Sequence, residues 1–427
     1  MDHEGDFAAS SLVSEVRELL RQGAVDDANA RVADCLARDS GRADGWYLRG
    51  VIANRRREHA AAIASLRRSI ELDSVPALTW LALGTALTRS DAMSQAADAY
   101  REAIVRQPAW ADAHLNLGLV LRRQGNLESA MRALYAAWTR DPMLFEAPRH
   151  CVATIADVVR RAGSATIPLD HFDIGARPSF TVVFCSIDAK KADRTGELYR
   201  RLFAGYQYEI KAVERPRSLA NAYNEAVRDS VGQFVVMSHD DIDVLAEDFA
   251  SRLVRLFDSL DVIGVVGSKR ADGPAIGWSG HPHLRGWITH RDAGDAAWRV
   301  DVLNPRPIAD GVMMLDGVLL AARREVLVTV PFDADTFDGF HLYDLDWSYR
   351  AVRAGFRLGT AGDLLLVHAS RGNYGAAWQR YAARFCAKHA IGQKNPAPSL
   401  FYGATLDTAN QARAFFAQLA ALGSERA

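Results

Sequence analysis

The chain has 427 residues, too many for one typical domain, and 49% of them are hydrophobic, which is enough to build two or three folded cores. Its net charge of -1 gives no general attraction to nucleic acid or to an acidic membrane surface. The four cysteines lie far apart without the paired spacing of a zinc site, so we expect a reduced, cytoplasmic protein.

The start of the chain, Met1 to Asp6, is acidic and lacks the basic flank and apolar core of a secretory signal. No apolar run approaches the roughly 20 residues that a bilayer-spanning helix needs. We therefore expect at most peripheral contact with the inner face of a membrane.

The first third of the chain repeats with a period of 34 residues. Small residues keep this step at Gly50, Gly84, Gly118, Ala28, Ala62, Ala96 and Ala130. Small side chains at fixed places let paired helices approach closely, and this period is typical of tetratricopeptide repeats, which stack into an α-solenoid. We predict about four repeats over residues 10–145, the first of them degenerate, with Val16 in place of the glycine.

A solenoid of this kind usually presents a groove that binds a peptide or another protein. The array could equally serve as a spacer or as the contact surface of a homo-oligomer. Residues 146–178 are predicted to connect the array to the second part of the chain, as a helix over 151–161 and then a linker with prolines and glycines.

Strand-like apolar runs alternate with amphipathic helices in the second part of the chain. Strands are predicted at 180–187, 208–213, 234–238 and 262–266, and helices at 194–203, 218–230 and 246–260. This alternation predicts a mostly parallel sheet with helices on both faces. We expect the α/β domain to span residues 179–392 and a C-terminal extension with a helix to occupy residues 393–427.

The apolar strand at 234–238 stops abruptly at His239, Asp240 and Asp241. Ionised carboxylates are costly to bury without a partner, so the strand is expected to deliver these side chains to the open end of the sheet, where α/β proteins bind ligands. Hard carboxylate oxygens suit Mg²⁺ or Mn²⁺. A strand followed by a polar turn and a helix cap would account for the same residues.

Residues 218–242 resemble the core of inverting, family-2-type glycosyltransferases, which have the Rossmann-like GT-A fold. In that family a helix with an Asn near its middle, here Asn221 or Asn224, leads to a strand that ends in an acidic DxD-type motif. In this chain His239 replaces the first acid of the motif. The resemblance implies that Asp241 is a metal ligand and that Asp240 faces the ribose or the sugar. His239 either ligates the metal or packs beside it.

Three later segments resemble further motifs of the family in the right order, so that the resemblance covers roughly residues 180–390. Asp316 interrupts an apolar run just before Gly317, as in the acid-containing strand near the two sugars, although an Asp-Gly hairpin turn explains the pair equally well. Asp344 matches the catalytic acid of the Glu-Asp-x-Asp motif, with Tyr343 in place of the Glu. His368 ends an apolar strand, like the His that completes the metal shell in many relatives.

The resemblance implies an enzyme that moves a sugar from a nucleotide-sugar donor, in the first instance a UDP-sugar, to a hydroxyl of a glycan, a lipid-linked glycan or a protein. A divalent cation, Mn²⁺ or Mg²⁺, would neutralise charge on the departing diphosphate. Asp344 would act as the general base of a single, inverting displacement. Further binding residues expected from the resemblance are Asp188 at the base or ribose, Arg217 at the diphosphate, and Asn224.

A long stretch between Ser268 and Asp310 is rich in Gly, His, Trp and Pro and shows no sustained period. Loops of this length inside a domain tend to be functional, so we predict a lid whose tryptophans, such as Trp278, offer flat faces to sugar rings. An amphipathic helix over 371–389 is expected to close over the site. A final helix is predicted over 401–422.

Other interpretations stay open on the residues alone. The altered positions His239 and Tyr343 also fit a tetratricopeptide scaffold protein whose glycosyltransferase domain is vestigial. Helix capping would account for Asp344, and a place at the edge of the core would account for His368. Nucleotidyl transfer is disfavoured because no Gly-rich, basic phosphate loop follows the first strand.

Overall fold

The structure is a computed structural model that describes residues 10–73, 76–162, 177–291, 296–370, 374–392 and 401–424. The chain divides into two compact units, one up to Thr154 and one from Ile155 onward. Most of the predicted linker, residues 163–176, lies outside the described residues. None of the helices in the described ranges combines the length and the apolar character that crossing a bilayer requires.

The first unit consists of helix pairs. Its helices are α1 Ser11–Arg21, α2 Val25–Arg38, α3 Ala43–Arg55, α4 His59–Leu72, α5 Ala77–Arg89, α6 Met93–Arg106, α7 Ala111–Arg123 and α8 Leu127–Arg140. Helix α9, Glu146–Ala162, comes next and includes the residues predicted to form the connecting helix. The pairs α1–α2, α3–α4, α5–α6 and α7–α8 correspond to the four predicted repeats.

The glycines of the 34-residue period lie where two helices of a pair touch. A Cβ added to Gly50 would lie 2.5 Å from the Leu66 side chain, and one added to Gly84 would lie 2.6 Å from the Tyr100 ring. The alanines that keep the same step are fully buried. In the first pair the glycine position is filled by Val16, which is also fully buried. The close helix contact inferred from the period is therefore present in the structure.

The second unit combines strands and helices. Its strands are β1 Ser179–Ser186, β2 Gln207–Glu214, β3 Phe234–Ser238, β4 Ile242–Val244, β5 Val262–Gly264, β6 Val266–Ser268, β7 Leu284–His290, β8 Trp298–Val302, β9 Ile308–Asp310, β10 Met314–Leu315, β11 Leu319–Arg323, β12 Leu358–Ala361, β13 Leu366–His368 and β14 Tyr402–Leu406. Its helices after α9 are α10 Ala189–Leu202, α11 Leu219–Arg228, α12 Phe249–Leu256, α13 Arg324–Thr329, α14 Tyr343–Arg353, α15 Ala376–His389 and α16 Ala409–Ser424.

One sheet has the strand order β2-β1-β3-β11-β5-β12-β9. Strands β2 and β3 run parallel to β1, but β11 lies antiparallel between β3 and β5. Strands β5 and β12 run in the same direction as β1, β2 and β3, so this sheet is mostly parallel as predicted, and the antiparallel β11 and β9 make it mixed.

A second sheet holds β10, β6, β7, β13 and β4 in that order, and β8 joins it through β7. Strands β7 and β8 come from the stretch predicted to be a structureless lid, so that prediction is wrong. Trp287 of β7 is buried and stacks on Phe416 of α16, with the ring centroids 5.6 Å apart. The helix predicted from residue 401 begins only at Ala409, because Tyr402–Leu406 pairs with β8 as β14.

Candidate active site

The pairing of β4 with β13 brings the end of β3 close to the end of β13, although the two lie far apart in the sequence. Ile242, directly after Asp241, pairs with His368 in antiparallel register. The backbone N–H of Ala369 donates a hydrogen bond to the carbonyl oxygen of Asp241 at 3.0 Å. The polar residues that end β3 therefore lie beside the histidine that ends β13.

His239, Asp241 and His368 point their possible ligand atoms at one another. His239 Nδ1 lies 3.4 Å from His368 Nε2 and 3.9 Å from Asp241 Oδ1, and the last two atoms are 3.3 Å apart. These separations leave a point about 2 Å from all three atoms, which is the usual length of a bond to a divalent metal. Within the parts of the chain that the structure describes, no other three such side chains converge in this way.

The donor set is two imidazole nitrogens and one carboxylate oxygen. Of the two expected cations, Mn²⁺ accepts imidazole nitrogen more readily than Mg²⁺, although both prefer oxygen ligands. Burial lowers the pKa of His239, and the neighbouring His368 lowers it further. A lowered pKa keeps the imidazole neutral, and neutral imidazole is the form that binds a metal. Burial would raise the pKa of Asp241, but hydrogen bonds with His368 and Ser370 hold it below its usual range, so the carboxylate stays ionised.

A turn links this cluster to the first residues of α14. The backbone N–H of His239 donates to the carbonyl of Val318 at 3.1 Å, and the backbone N–H of Gly317 donates to Asp344 Oδ2 at 2.7 Å. A Cβ on Gly317 would lie 2.5 Å from the Tyr343 hydroxyl and 2.9 Å from Asp344 Cβ. Only glycine therefore lets the turn approach Asp344 this closely.

Asp344 is the acid with the most shifted pKa beside this turn. Burial raises the pKa of Asp344, and the negative charge of Asp316 raises it further, to about 7, against the backbone N–H groups of Leu345 and Gly317. A carboxyl with such a pKa takes up and releases a proton near neutral pH, as a general base must. Asp344 therefore has the electrostatic surroundings of an acid–base group.

Asp316 also stabilises the turn, because its Oδ1 accepts a hydrogen bond from the backbone N–H of Val318 at 2.9 Å. The Asp-Gly pair is not a hairpin turn, since β10 pairs with β6 and β11 pairs with β3 and β5. The turn instead connects the two sheets. Asp316 follows β10 of the second sheet, and the turn places it next to β11, which pairs with β3 of the first sheet.

Asp240 and Arg217 lie on the same unit with side chains in different surroundings. Asp240 is half-buried, and its Oδ2 accepts a hydrogen bond from the Ser186 hydroxyl at 2.5 Å. The hydroxyl of Thr195 donates to the carbonyl of Asp240 at 2.9 Å, which ties the end of β3 to α10. Arg217 is exposed and directly precedes Ser218, the residue that caps α11.

The side chains of Asp188 and Asn224 each form hydrogen bonds with the protein backbone. The Asp188 carboxylate accepts the backbone N–H groups of Lys190 and Lys191 and so caps α10. The Asn224 amide hydrogen-bonds to both backbone groups of Phe332, at 2.8 Å and 2.9 Å. Both capping bonds reach Oδ1 of Asp188, whereas the backbone of Phe332 engages both ends of the Asn224 amide.

Asp346 is a residue whose importance the sequence did not reveal. It is fully buried, and its carboxylate lies 2.8 Å from His389 Nε2, 2.6 Å from Lys388 Nζ and 2.8 Å from Arg350 Nε. The spacing of Asp346 and Arg350 along α14 could have predicted one of these contacts. The other two come from α15 and fasten that helix to α14.

Comparison with known proteins agrees with this architecture. Residues 181–388 match a family described as "Glycosyltransferase like family", and residues 13–75 and 81–142 match tetratricopeptide repeats. The comparison with curated proteins gives no match.

Solved structures similar to this chain include MamA, at 24% identity over 34% of this chain and 86% of that one, with a TM-score of 0.33. MamA 41-end from Desulfovibrio magneticus RS-1 is 19% identical over 37% of this chain and 88% of that one, with a TM-score of 0.32. YrrB, described as a TPR protein with an unusual peptide-binding site, is 20% identical over 37% of this chain and 81% of that one, with a TM-score of 0.32.

The predicted order, an α-solenoid followed by an α/β unit of GT-A type, is confirmed, with a mixed sheet in the second unit. The chain thus carries tetratricopeptide repeats within residues 13–142 and a glycosyltransferase-like family domain at residues 181–388.

Proposed function

We propose that the α/β unit is a metal-dependent, inverting glycosyltransferase that moves a sugar from a nucleotide-sugar donor to an acceptor hydroxyl. The family match supports glycosyl transfer. The metal is our inference from the side chains, and the nucleotide-sugar donor and the inversion are what the resemblance to family-2-type glycosyltransferases implies. The observation that carries the proposal is the convergence of His239, Asp241 and His368 at the end of β3.

His239, Asp241 and His368 would hold the divalent cation, which when bound supplies positive charge to the departing diphosphate. Asp240 is retained in the proposed site as a contact to the ribose or the sugar. Arg217, exposed at the start of α11, is retained as a contact to the diphosphate. Asp188 is retained as a contact to the base or ribose, because the cap uses its Oδ1, whereas Asn224 is left out, because the backbone of Phe332 uses both ends of its amide.

Asp344 would take the proton of the acceptor hydroxyl while the hydroxyl oxygen attacks the anomeric carbon of the donor. As the new carbon–oxygen bond forms, the bond to the diphosphate breaks and its electron pair leaves with the phosphate oxygen. One base and one displacement invert the anomeric centre. The Gly317 N–H, at 2.7 Å from Asp344 Oδ2, fixes the direction of the carboxyl.

Isothermal titration calorimetry with UDP and with GDP, each with and without Mn²⁺, tests the proposal. We expect one nucleotide to bind much more tightly with the metal, and His368→Ala to weaken metal-linked binding by roughly 10–100-fold or more. His150→Ala is the matched control, because His150 lies in the first unit beside Arg122. The proposal would be contradicted if the nucleotide affinity were the same with and without Mn²⁺, or if neither nucleotide bound.

A tetratricopeptide binding protein with a non-catalytic α/β unit is the second candidate, and a cavity in the repeat array favours it. The cavity has a volume of about 320 Å³ and is lined by Asn29, Val32, Ala33, Leu36, Ala37, Trp46 and Arg49. The Arg49 guanidinium lies 5.2 Å from the centre of the Trp46 ring. We propose a peptide or protein partner for this surface, and a failed nucleotide titration would make it the leading candidate.

A further inference from the structure

Three aromatic side chains of the second unit form a continuous group, here called the aromatic patch: Trp278, Tyr374 and Trp378. The two indole rings are stacked, with centroids 5.6 Å apart and planes inclined by 27°. Tyr374 meets Trp378 edge-on at 5.1 Å. Both tryptophans are half-buried, and Tyr374 is 60% exposed. The patch therefore offers flat apolar surface to the solvent.

The patch is attached to the same elements that place Asp316 and Asp344. Trp278 lies in the 3-10 helix Ile276–Ser279, which follows β6, and β6 pairs with the strand that leads into Asp316. Trp378 lies on α15 and packs against the hydrophobic core that contains Tyr343. Helix α15 is held to α14 by the buried Asp346 carboxylate.

Electrostatics agrees with this placement. Partial desolvation of the phenol raises the pKa of Tyr374 even though much of the ring is exposed, and the negative charges of Asp316 and Asp344 raise it further. The phenol of the patch is therefore close enough to both carboxyl groups to sense their charge. A ligand lying on the patch would therefore lie near the proposed general base.

We propose that the aromatic patch binds a pyranose ring of the acceptor, so that the acceptor is a carbohydrate. A pyranose has an apolar C–H face that fits a flat aromatic ring, and an edge of hydroxyl groups that donate to carboxylates. Binding sites for small molecules commonly combine such an apolar wall with a few polar groups. The inference rests on the proposed function and specifies its acceptor.

A peptide acceptor is the competing occupant, and the patch suits it less. Extended peptides commonly bind by adding a strand to a free sheet edge, where backbone groups supply the affinity. Two of the three aromatic residues of the patch lie on helices, Trp278 on the 3-10 helix and Trp378 on α15, and Tyr374 lies just before α15. The rings, rather than backbone groups, form the surface.

Saturation-transfer difference NMR on the full chain, without metal or nucleotide, tests this inference. The probes are the methyl glycosides of glucose, galactose, mannose and N-acetylglucosamine, and a serine-containing tripeptide. We expect at least one glycoside to receive saturation at its ring C–H protons and the tripeptide to receive none. Tyr374→Ala and Trp378→Ala should weaken the affinity for that glycoside by roughly 2- to 10-fold.

Tyr208→Ala is the matched control. Tyr208 is also an exposed aromatic residue, but it lies on β2, an edge strand of the first sheet, in register with Phe180 of β1. Tyr374→Ala removes an exposed ring, so it keeps the test decisive even if Trp378→Ala fails to fold. No saturation of any glycoside, glycoside binding that survives both patch variants, or tripeptide binding that the patch variants abolish would overturn the inference.

The two proposals fail in different ways. Loss of the glycoside result with intact metal-linked nucleotide binding would remove only the carbohydrate acceptor. Loss of nucleotide binding would remove the glycosyltransferase, whatever the glycosides do.

Discussion

The repeat array and the candidate active site differ in how far along the chain their defining contacts reach. Gly50 meets Leu66 in the next helix, and equivalent contacts recur at each step of the period. His239 and His368 are 129 positions apart and meet only because β4 pairs with β13. The array is thus a sum of local contacts, whereas the site depends on the assembly of a whole unit. Substitutions in the array should therefore lower the free energy of unfolding, and substitutions in the site should lower kcat.

Asp344→Asn should have the largest effect and would test the chemical side of this comparison. The amide cannot accept the proton of the acceptor hydroxyl, so kcat should fall by about 10²–10⁴. Nucleotide affinity should stay within about twofold of the original value, because the binding of the diphosphate does not require the base. Steady-state transfer from a nucleotide sugar chosen by screening, together with calorimetry, would measure both quantities.

Asp338→Asn is the control for that change. Asp338 is an exposed carboxylate shortly before α14 that contacts Tyr381 and Arg384. Its replacement should leave kcat nearly unchanged. Retained turnover in Asp344→Asn, or an equal loss in both variants, would remove Asp344 from the role of base.

Lowering the pH should reduce the rate of sugar transfer by less than Asp344→Asn does and by more than Gly50→Ala does. The pKa of Asp344 is raised to about 7, so below that pH the carboxyl is increasingly protonated and cannot act as a base. We expect kcat/KM to fall about tenfold per pH unit below 7. Asp316→Asn keeps an oxygen for the Val318 N–H but removes the negative charge, and should therefore move the acid limb to lower pH.

The measurement is a pH–rate profile of both proteins, with nucleotide affinity determined at each pH. The affinity separates protonation of the base from protonation of the histidines. An acid limb that Asp316→Asn leaves in place would contradict the assignment of the limb to Asp344.

Gly50→Ala should have the smallest effect on catalysis and would test the other side of the comparison. The added methyl group meets the Leu66 side chain at 2.5 Å and overpacks the pair of helices. The free energy of unfolding should fall by about 1–3 kcal/mol. Urea denaturation followed by far-UV circular dichroism would measure the loss, and kcat at 25 °C should not change.

Gly41→Ala provides the comparison within the array, since its added Cβ meets only the exposed Asp39 carboxylate, at 3.2 Å. It should cost much less stability. A loss of turnover in Gly50→Ala without a loss of stability would show that the two regions are not separable in this way.

The sequence predicted the array well because each repeat restates the same helix contact. It also predicted strands β1, β2 and β3 and the polar end of β3, where a buried apolar run stops at His239. The cluster of His239, Asp241 and His368 was expected from resemblance to a family, since their separation leaves no local pattern. The roles of these residues stay predictions.

The sequence did not predict β7 and β8, whose partners are β6, β13 and β14. Strands β13 and β14 lie far along the chain and leave no signal near β7 and β8, and the tryptophans and glycines of that stretch resembled a loop. The contacts of Asp188 and Asn224 were also missed. An N-cap and a backbone clamp use the same polar side chains as a ligand site, and only the neighbouring backbone distinguishes them.

The buried carboxylate of Asp346 bears on where an independently folding fragment can end. The family match stops at residue 388, but His389 lies one position beyond it and contacts Asp346 at 2.8 Å. Strand β14 and helix α16 lie further along, and they complete the edge of the second sheet and cover Trp287. A fragment trimmed to the family match would strip a partner from a buried charge and uncover an indole. We therefore expect a fragment that ends at residue 388 to be less stable than one that keeps His389, β14 and α16.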